Sequence, residues 1–242
     1  SADTASNSIY IVNLGRKNKK VTRKEIANFI SVVNNSEFKP KVIGIDVMFE
    51  SYSDTSTDNQ LSKALEQENI VTIKSIEKIK KGIYTTVSSL KKFSTTNYGF
   101  SNQWIERDRP LTERYFKPNF IIDDDEYIDH FSLKIASIYD NKKYKEFSKK
   151  NMNEPYLINY RGNYSIKNHI EINDTSQFKK LKDKIVLMGL FEFNENNQPL
   201  YNEDLHWSPT NKRYFGRSAQ DIYGIEIQAH IIANIINDDF IR

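Results

Sequence analysis

The residue that most invites a chemical interpretation is Asp46, a carboxylate inside the apolar run of residues 42–49. This run is short and rich in β-branched residues, which is typical of a strand buried on both faces of a sheet. Because ligands of parallel α/β sheets bind beyond the carboxyl ends of the strands, Asp46, Glu50 and Arg161 are candidates for ligand binding. The alternative is structural: Asp46 caps a turn or pairs with a buried basic residue such as Arg23.

A second group of residues with the potential for chemistry surrounds His206. Glu203 and Asp204 stand just before it, and carboxylates beside an imidazole can form a metal site with oxygen and nitrogen ligands. One hypothesis is therefore a metal- or carboxylate-dependent hydrolase that uses Asp46, Glu50 and His206. This hypothesis requires the three side chains to lie within a few ångströms of one another.

The sequence lacks the standard catalytic signatures. It has no glycine-rich phosphate loop, no G-x-S-x-G elbow and no H-E-x-x-H. The absence of cysteine excludes disulfides, thiol catalysis and cysteine-based zinc sites. The histidines lack metal-ligand spacing, and His130 and His230 fall within predicted helices, so we expect both to be structural. The acidic run of residues 123–126 lacks the spacing of a calcium loop and is predicted to begin a helix. We therefore expect no metal and no cofactor.

The composition is that of a folded, soluble segment. Hydrophobic residues make up 38% of the 242 residues and aromatic residues 12%, which is enough for a sizeable core. Thirty-five basic and 32 acidic residues leave a formal charge of +3 without a sustained basic stripe, so we expect no nucleic-acid partner. No stretch approaches the roughly 18 apolar residues of a membrane span, although the chain can still be a segment excised from between membrane anchors.

The elements that must position these residues follow an α/β pattern. Residues 9–14 are predicted to form a strand, and Thr22 and Glu25 have the spacing of a capping box. The apolar residues between Ile26 and Val33 then repeat with a helical period. A strand, a helix and the strand at residues 42–49 in close succession are typical of a right-handed crossover with parallel strands. Further strands are predicted at residues 70–73, 83–87, 155–160 and 184–189, and further helices at residues 61–65, 128–138 and 224–237.

Together these elements predict a three-layer α/β fold with a mainly parallel sheet and helices on both faces. Residues 1–8 are small and polar, and we predict that they form a disordered leader before a single domain at residues 9–242. Residues 190–221 show no periodicity, and a loop of this length in a compact domain is usually functional or mobile.

Short motifs follow one another in a fixed order along the chain. They comprise Arg23 and Ala27; residues 41–46 with Phe49; residues 69–71; Gly99 and Phe100; Ser132, Leu133 and Ala136; residues 158–162; residues 184–189; and residues 224–227 with Ala229 and Asn234. In this order and spacing the motifs resemble the CHASE domain of the second type, the cyclases/histidine kinases associated sensory extracellular domain. The chain departs from the family pattern in its first strand, which is not acidic, and matches the family's turns only loosely at residues 106–114 and 204–209.

The resemblance implies an extracytoplasmic sensory module of a bacterial inner-membrane protein. Members of the family usually precede membrane helices that lead to a cytoplasmic output such as a nucleotide cyclase, a histidine kinase or a serine/threonine kinase. No catalysis is attributed to the family, and its ligands are generally unknown. The implied partners are an unidentified small-molecule or protein signal, the flanking membrane helices with the output domain, and a second copy in a homodimer.

Under this interpretation, the candidate ligand-binding residues lie at strand ends and in the neighbouring loops. We expect the first strand to begin, and the last helix to end, on the same side of the domain, facing the membrane. A dimerisation scaffold that needs no ligand is the main alternative to a ligand sensor, and the hydrolase is the weaker one. The candidate residues are Asp46, Glu50, Trp104, Arg161, Asn163, Asp204 and His206.

Overall fold

The computed structural model describes residues 6–15, 21–80, 82–102, 112–123, 126–160, 168–193, 204–210 and 220–241. Its helices are α1 (Arg23–Asn34), α2 (Thr55–Leu65), α3 (Phe131–Tyr139), α4 (Asn141–Ser148) and α5 (Gly224–Asn237). Its strands are β1 (Ile9–Asn13), β2 (Val42–Ile45), β3 (Ile70–Lys80), β4 (Ile83–Ser88), β5 (Tyr98–Phe100), β6 (Tyr115–Phe116), β7 (Asn119–Asp123), β8 (Glu126–Asp129), β9 (Tyr156–Leu157), β10 (His169–Ile170), β11 (Ile185–Gly189), β12 (Leu205–His206) and β13 (Ile222–Tyr223).

A seven-stranded sheet forms the centre of the fold, in the order β10-β1-β11-β2-β3-β4, with β5 also paired to β3. All of these pairings are parallel except that of β4 with β3. The predicted capping box starts α1: the Glu25 amide donates to Thr22 Oγ1 at 3.2 Å, and the Thr22 amide donates to the Glu25 carboxylate at 2.8 Å. The prediction of a mainly parallel sheet is confirmed.

Helices cover both faces of this sheet. On one face, α1 and α2 pack against side chains of β1, β2 and β11 in one apolar core. On the other face, α3 and α5 pack against the alternate side chains of the same three strands. Every residue of β2 and β11 is buried, as expected for strands that are covered on both sides. The predicted three-layer α/β fold is confirmed.

Two glycines at which helices approach the sheet closely explain two of the short motifs. A Cβ atom at Gly44 in β2 would lie 2.4 Å from the Cδ1 methyl of Ile135 in α3. A Cβ atom at Gly189 in β11 would lie 2.9 Å from the side chain of Ile225 in α5. A larger residue at either position would therefore push a helix away from the sheet, because a close-packed interior has no spare volume.

The region before α3 differs from what the sequence predicted. β7 and β8 form an antiparallel hairpin, and α3 begins only at Phe131 with His130 as its N-cap. The predictions of a helix from residue 128 and of a helix start at residues 123–126 are therefore wrong. Ile128 has helical spacing with the apolar residues that follow it, but its side chain packs with Phe120 in a small separate core.

Two pairs of asparagines join elements that are distant in sequence, and all but the half-buried Asn159 are buried. The side-chain amides of Asn34 in α1 and Asn69 just before β3 hydrogen-bond to each other at 3.0 and 2.9 Å. Asn234 in α5 accepts from the backbone N–H of Asn159 at 2.8 Å and donates to its carbonyl at 3.1 Å. These bonds satisfy polar groups inside the protein, which explains why asparagine stands at positions 69 and 234 of the motifs.

α5 packs along one face of the sheet. It starts beside Gly189, at the carboxyl end of β11, and its residues Ala229, Ile232 and Ala233 lie in the same apolar core as Ile9, the first residue of β1. The backbone is left-handed at Asp238, with a φ of 55°, and Ile241 then forms a bridge to Leu157 in β9. At the other terminus, residues 6–8 of the predicted leader form one turn of 3₁₀ helix directly before β1.

Candidate functional site

Asp46 and Asp204 lie at the carboxyl edge of the parallel sheet, where ligands of such sheets bind. Asp46 directly follows β2, and its backbone N–H donates to the Met188 carbonyl of β11 at 2.8 Å. Asp204 directly precedes β12 in a left-handed conformation with a φ of 59°, and its carbonyl accepts from the Gly224 N–H at 3.0 Å. One carboxylate is therefore fixed to the sheet and the other to the first residue of α5.

The environment of Asp46 disfavours a charged carboxylate. Burial raises the pKa of Asp46 to about 8; the negative charge of Asp204 adds to this increase, and the positive charge of His206 opposes it. Although part of its surface still touches solvent, the surrounding protein removes much of the water that would stabilise its charge. Its carboxyl group makes no hydrogen bond within the described part of the chain. Asp46 is therefore mainly protonated at neutral pH.

His206 bridges two carboxylates. Its Nε2 lies 3.4 Å from Oδ1 of Asp204, and its Nδ1 lies 3.4 Å from Oε1 of Glu113. Burial lowers the pKa of His206, but the hydrogen bonds and negative charges of Asp204 and Glu113 outweigh this effect and raise it to about 9. The imidazole is therefore mainly cationic at neutral pH.

Glu113, which the sequence did not single out, completes the group. It is 7% exposed, its N–H donates to the Trp207 carbonyl at 2.9 Å, and its carbonyl accepts from the Tyr160 hydroxyl at 2.8 Å. The ring of Tyr160 packs against His230 of α5 at a centroid distance of 4.9 Å. No sequence pattern marks Glu113, because it stands in an irregular segment just before the two-residue strand β6. We call Asp46, Glu113, Asp204 and His206 the carboxyl-edge cluster.

Asp221 holds in place the short segment that carries His206. Its carboxylate accepts from the Ser208 N–H at 2.8 Å and from the Ser208 hydroxyl at 2.7 Å. Its own N–H donates to the His206 carbonyl at 2.9 Å, and β12 pairs with β13 so that His206 faces Ile222. Residues 204–210 are therefore tied to the strand that leads directly into α5.

The structure brings together three of the seven candidate residues: Asp46, Asp204 and His206. Glu50 is exposed, and within the described residues it takes no part in the interactions of the cluster. The hydrolase hypothesis, which needs Glu50 beside Asp46 and His206, gains no support from this arrangement. The remaining candidates, which lie outside the described residues together with Glu203, are Trp104, Arg161 and Asn163.

The structural alternative for Asp46, an ion pair with Arg23, does not occur. Arg23 instead donates to Oδ1 of Asp58 at 2.7 Å and to the Ser51 carbonyl at 2.6 Å. Its guanidinium also lies over the ring of Phe93, 5.1 Å from the centroid. Asp46 neither pairs with this cation nor caps a turn through its side chain. Its side chain interacts instead with Asp204 and His206 of the carboxyl-edge cluster.

The cluster is suited to proton binding. Among the residues that the structure describes, no group of three or more acidic or histidine side chains has an arrangement that could hold a metal ion. Asp46 and His206 instead exchange protons in the neutral to mildly alkaline range. With three carboxylates and one imidazole, the cluster is negative when Asp46 is deprotonated, and it then attracts protons and cationic groups.

A family model described as the CHASE2 domain matches residues 3–242, essentially the whole chain. No curated protein and no solved structure gives a significant match. Within the described ranges, none of the helices has both the length and the apolar character needed to cross a membrane.

Proposed function

Because this chain belongs to the CHASE2 domain family, whose members are extracytoplasmic sensory domains, we propose that it is the signal-input domain of a bacterial transmembrane receptor. In this proposal it lies outside the inner membrane and receives a small-molecule or protein signal. Flanking membrane helices carry that signal to a cytoplasmic output such as a nucleotide cyclase, a histidine kinase or a serine/threonine kinase. The family is sensory, so the proposal assigns no reaction to the chain.

The observation that supports this function best is the position of the carboxyl-edge cluster between the sheet and α5. A ligand at the cluster meets Asp46, which is fixed to β11, and Asp204, which is fixed to the first residue of α5. A change in their separation therefore changes how α5 begins relative to the sheet. Ionisable groups with strongly shifted pKa values at the ends of parallel strands are typical of functional sites.

The direction of α5 supports a route for the signal. The helix begins at the cluster and packs along the sheet in the same apolar core as Ile9, the first residue of β1. Most of its residues are buried, so it can move only by sliding or tilting against the sheet and α3. In the proposed receptor, such a movement changes the position of the end of α5 relative to the start of β1, and the membrane helices follow.

We propose that the ligand contacts the carboxyl-edge cluster and the other candidate residues from the sequence. Asp46, Asp204 and His206 form its centre, with Glu113 as an addition that only the geometry suggests. The other proposed contacts are Glu50, Trp104, Arg161 and Asn163.

The test is the activity of the output domain in the full-length receptor, measured in membranes. Asp46→Asn and Asp204→Asn should each change basal or signal-dependent output by several-fold, while the amount of receptor in the membrane stays constant. Glu154→Gln is the matched control, because Glu154 is an exposed acidic residue outside the cluster, and it should leave the output unchanged.

Two results would contradict the proposal. If both cluster variants signal like the wild type, the carboxyl-edge cluster is not the signal site. If deletion of the whole domain abolishes output and dimer formation together, while no substitution in the cluster has any effect, the domain is a ligand-independent dimerisation scaffold.

A further inference from the structure

The carboxyl-edge cluster has more acidic groups than cationic ones. Asp46, Asp204 and Glu113 supply three carboxylates, and His206 is the cation of the cluster. Because one imidazolium balances one carboxylate, deprotonation of Asp46 adds a negative charge to a cluster that is already negative. Asp46 also lacks a hydrogen-bond donor within the described residues, so the positive charge of His206 offsets the repulsion from Asp204 only in part.

The two carboxylates that repel each other are attached to different elements of the fold. Asp46 is held by the sheet through its bond to Met188. The Asp204 carboxylate lies against Gly224, where a Cβ atom would be 2.6 Å from Oδ1, and the Asp204 carbonyl accepts from the Gly224 N–H at 3.0 Å. A backbone movement of Asp204 away from Asp46 is therefore transmitted to the first residue of α5.

From this geometry we propose that a proton on Asp46 controls the position of Asp204, and through it the first turn of α5, so that the domain responds to extracytoplasmic pH. With the proton bound, Asp46 is neutral and Asp204 stays close to the sheet beside His206. When the proton leaves, the two like charges separate and Asp204 moves the start of α5. The inference rests on the proposed sensory function, and it names the proton as a regulator of the same site.

The other charged groups around the cluster set the limits of this response. His206 faces Asp204 and Glu113, so its own deprotonation at higher pH removes the cation and increases the repulsion further. Tyr160 faces Glu113, Asp221 and Arg114, and the Asp221 carboxylate is occupied by two bonds from Ser208. Asp46 and His206 are therefore the members of the cluster that lose protons as the pH rises from neutral.

The experiment is a pH titration of the 242-residue chain by NMR, from pH 6.5 to 9.5. The carboxyl carbon of Asp46 reports its charge, and the Cδ1 methyl of Ile225 reports the first turn of α5, since Ile225 packs on Gly189 of the sheet. Methyl signals also remain visible at a pH at which exposed amide protons exchange too fast. Both signals should change together, with a shared midpoint near 8.

Two variants distinguish the effect of Asp46 deprotonation from the effects of other titrating groups. Asp46→Asn has a side chain that resembles neutral aspartic acid, so it should fold at neutral pH. The change in the Ile225 methyl signal near pH 8 (the methyl step) should be absent from this variant. Any later change that comes from His206 should remain. Asp204→Asn removes the repulsion, so the Asp46 midpoint should fall below that of the wild type and the methyl step should shrink severalfold. Glu154→Gln should leave both signals as in the wild type.

Three outcomes would overturn the inference. In the first, Asp46 titrates but the Ile225 methyl does not follow it. In the second, the methyl step persists in Asp46→Asn. In the third, Asp46 shows no titration in this range. None of these results affects the proposed function, which fails separately if Asp46→Asn and Asp204→Asn leave the output of the full-length receptor unchanged.

Discussion

The carboxylate of Asp204 lies in the space that a side chain at position 224 would need. A Cβ atom at Gly224 would be 2.6 Å from Oδ1 and 2.7 Å from Oδ2 of Asp204. The glycine that begins α5 is therefore required by a close approach and not by an unusual backbone conformation, since its φ is not positive. The same contact links the carboxyl-edge cluster to the helix that we propose as the route of the signal.

Replacement of Gly224 by alanine should destabilise the domain through this contact. Overpacking of a filled site typically costs about 1–3 kcal/mol, which outweighs the gain of up to about 1 kcal/mol that alanine brings to a helix. Urea unfolding of Gly224→Ala measures the cost. In an Asp204→Gly background the obstruction is gone, so the same alanine should be neutral or stabilising. An equal loss in both backgrounds would show that Asp204 is not the cause.

Replacement of Asn234 should release α5 from the segment that carries Asn159. Asn234 is 2% exposed, and its side chain binds both the N–H and the carbonyl of Asn159. In Asn234→Ala these two groups lose their partners, and each unsatisfied buried group costs about 1–3 kcal/mol. Because Asn159 is half-buried, water can replace part of the lost bonding, and urea unfolding should show a loss of about 2–4 kcal/mol. Asn153→Ala, at an exposed position, should stay within about 0.5 kcal/mol of the wild type; similar losses in both variants would refute the role of Asn234.

The fold was predictable where a local pattern and the tertiary structure require the same conformation. The continuous apolar runs of β2 and β11 fit only a strand covered on both faces, and the Thr22 capping box starts α1 as the spacing indicates. Ile128 shows the opposite case: its spacing fits a helix, but pairing between β7 and β8 and packing against Phe120 place it in a strand.

The candidate site was predictable only in part. The rule that ligands bind at strand ends located Asp46, and the clustering of charges in sequence located Asp204 and His206. Glu113 could not be found in this way, because its contact with His206 joins an irregular segment to the two-residue strand β12, about 90 residues away. The contact depends on the tertiary fold, which local periodicity does not encode.

Loss of protons from the carboxyl-edge cluster should make the domain less stable as the pH rises towards and above neutral. The folded-state pKa of Asp46 is raised from 3.8 to about 8, so its proton stabilises the folded state at low pH, and this contribution declines between these two values. The folded-state pKa of His206 is raised from 6.5 to about 9, and its contribution is lost as the pH rises through that window.

Urea unfolding at pH 6.5 and pH 8 isolates the contribution of Asp46 to this loss of stability. Asp46→Asn cannot titrate, so its stability relative to the wild type should increase over this interval by on the order of 1–2 kcal/mol, allowing for the partial exposure of the side chain. Glu154→Gln should show no such change. A constant difference between Asp46→Asn and the wild type would mean that Asp46 is already ionised at pH 6.5.

Two buried histidines should make the domain sensitive to acid. Burial lowers the pKa of His130 and of His230 to about 3, whereas an exposed histidine takes up a proton near 6.5. Below pH 6.5 the unfolded chain therefore binds protons at these two histidines, whereas the folded chain does not. The stability that comes from burying the neutral histidines is lost as the pH falls towards 3. His130 also caps α3, since its Nδ1 accepts from the Ser132 N–H at 3.2 Å.

His130→Asn tests this acid sensitivity, because asparagine can accept the same capping bond and cannot be protonated in this range. Its stability relative to the wild type should improve by about 2 kcal/mol between pH 6.5 and pH 5, measured by urea unfolding. This comparison cancels the opposite trend from Asp46, which both proteins share. His206→Gln is the control, because both its folded and unfolded pKa values lie at or above 6.5, and it should improve less than His130→Asn. Equal changes in the two variants would show that His130 is protonated in the folded state.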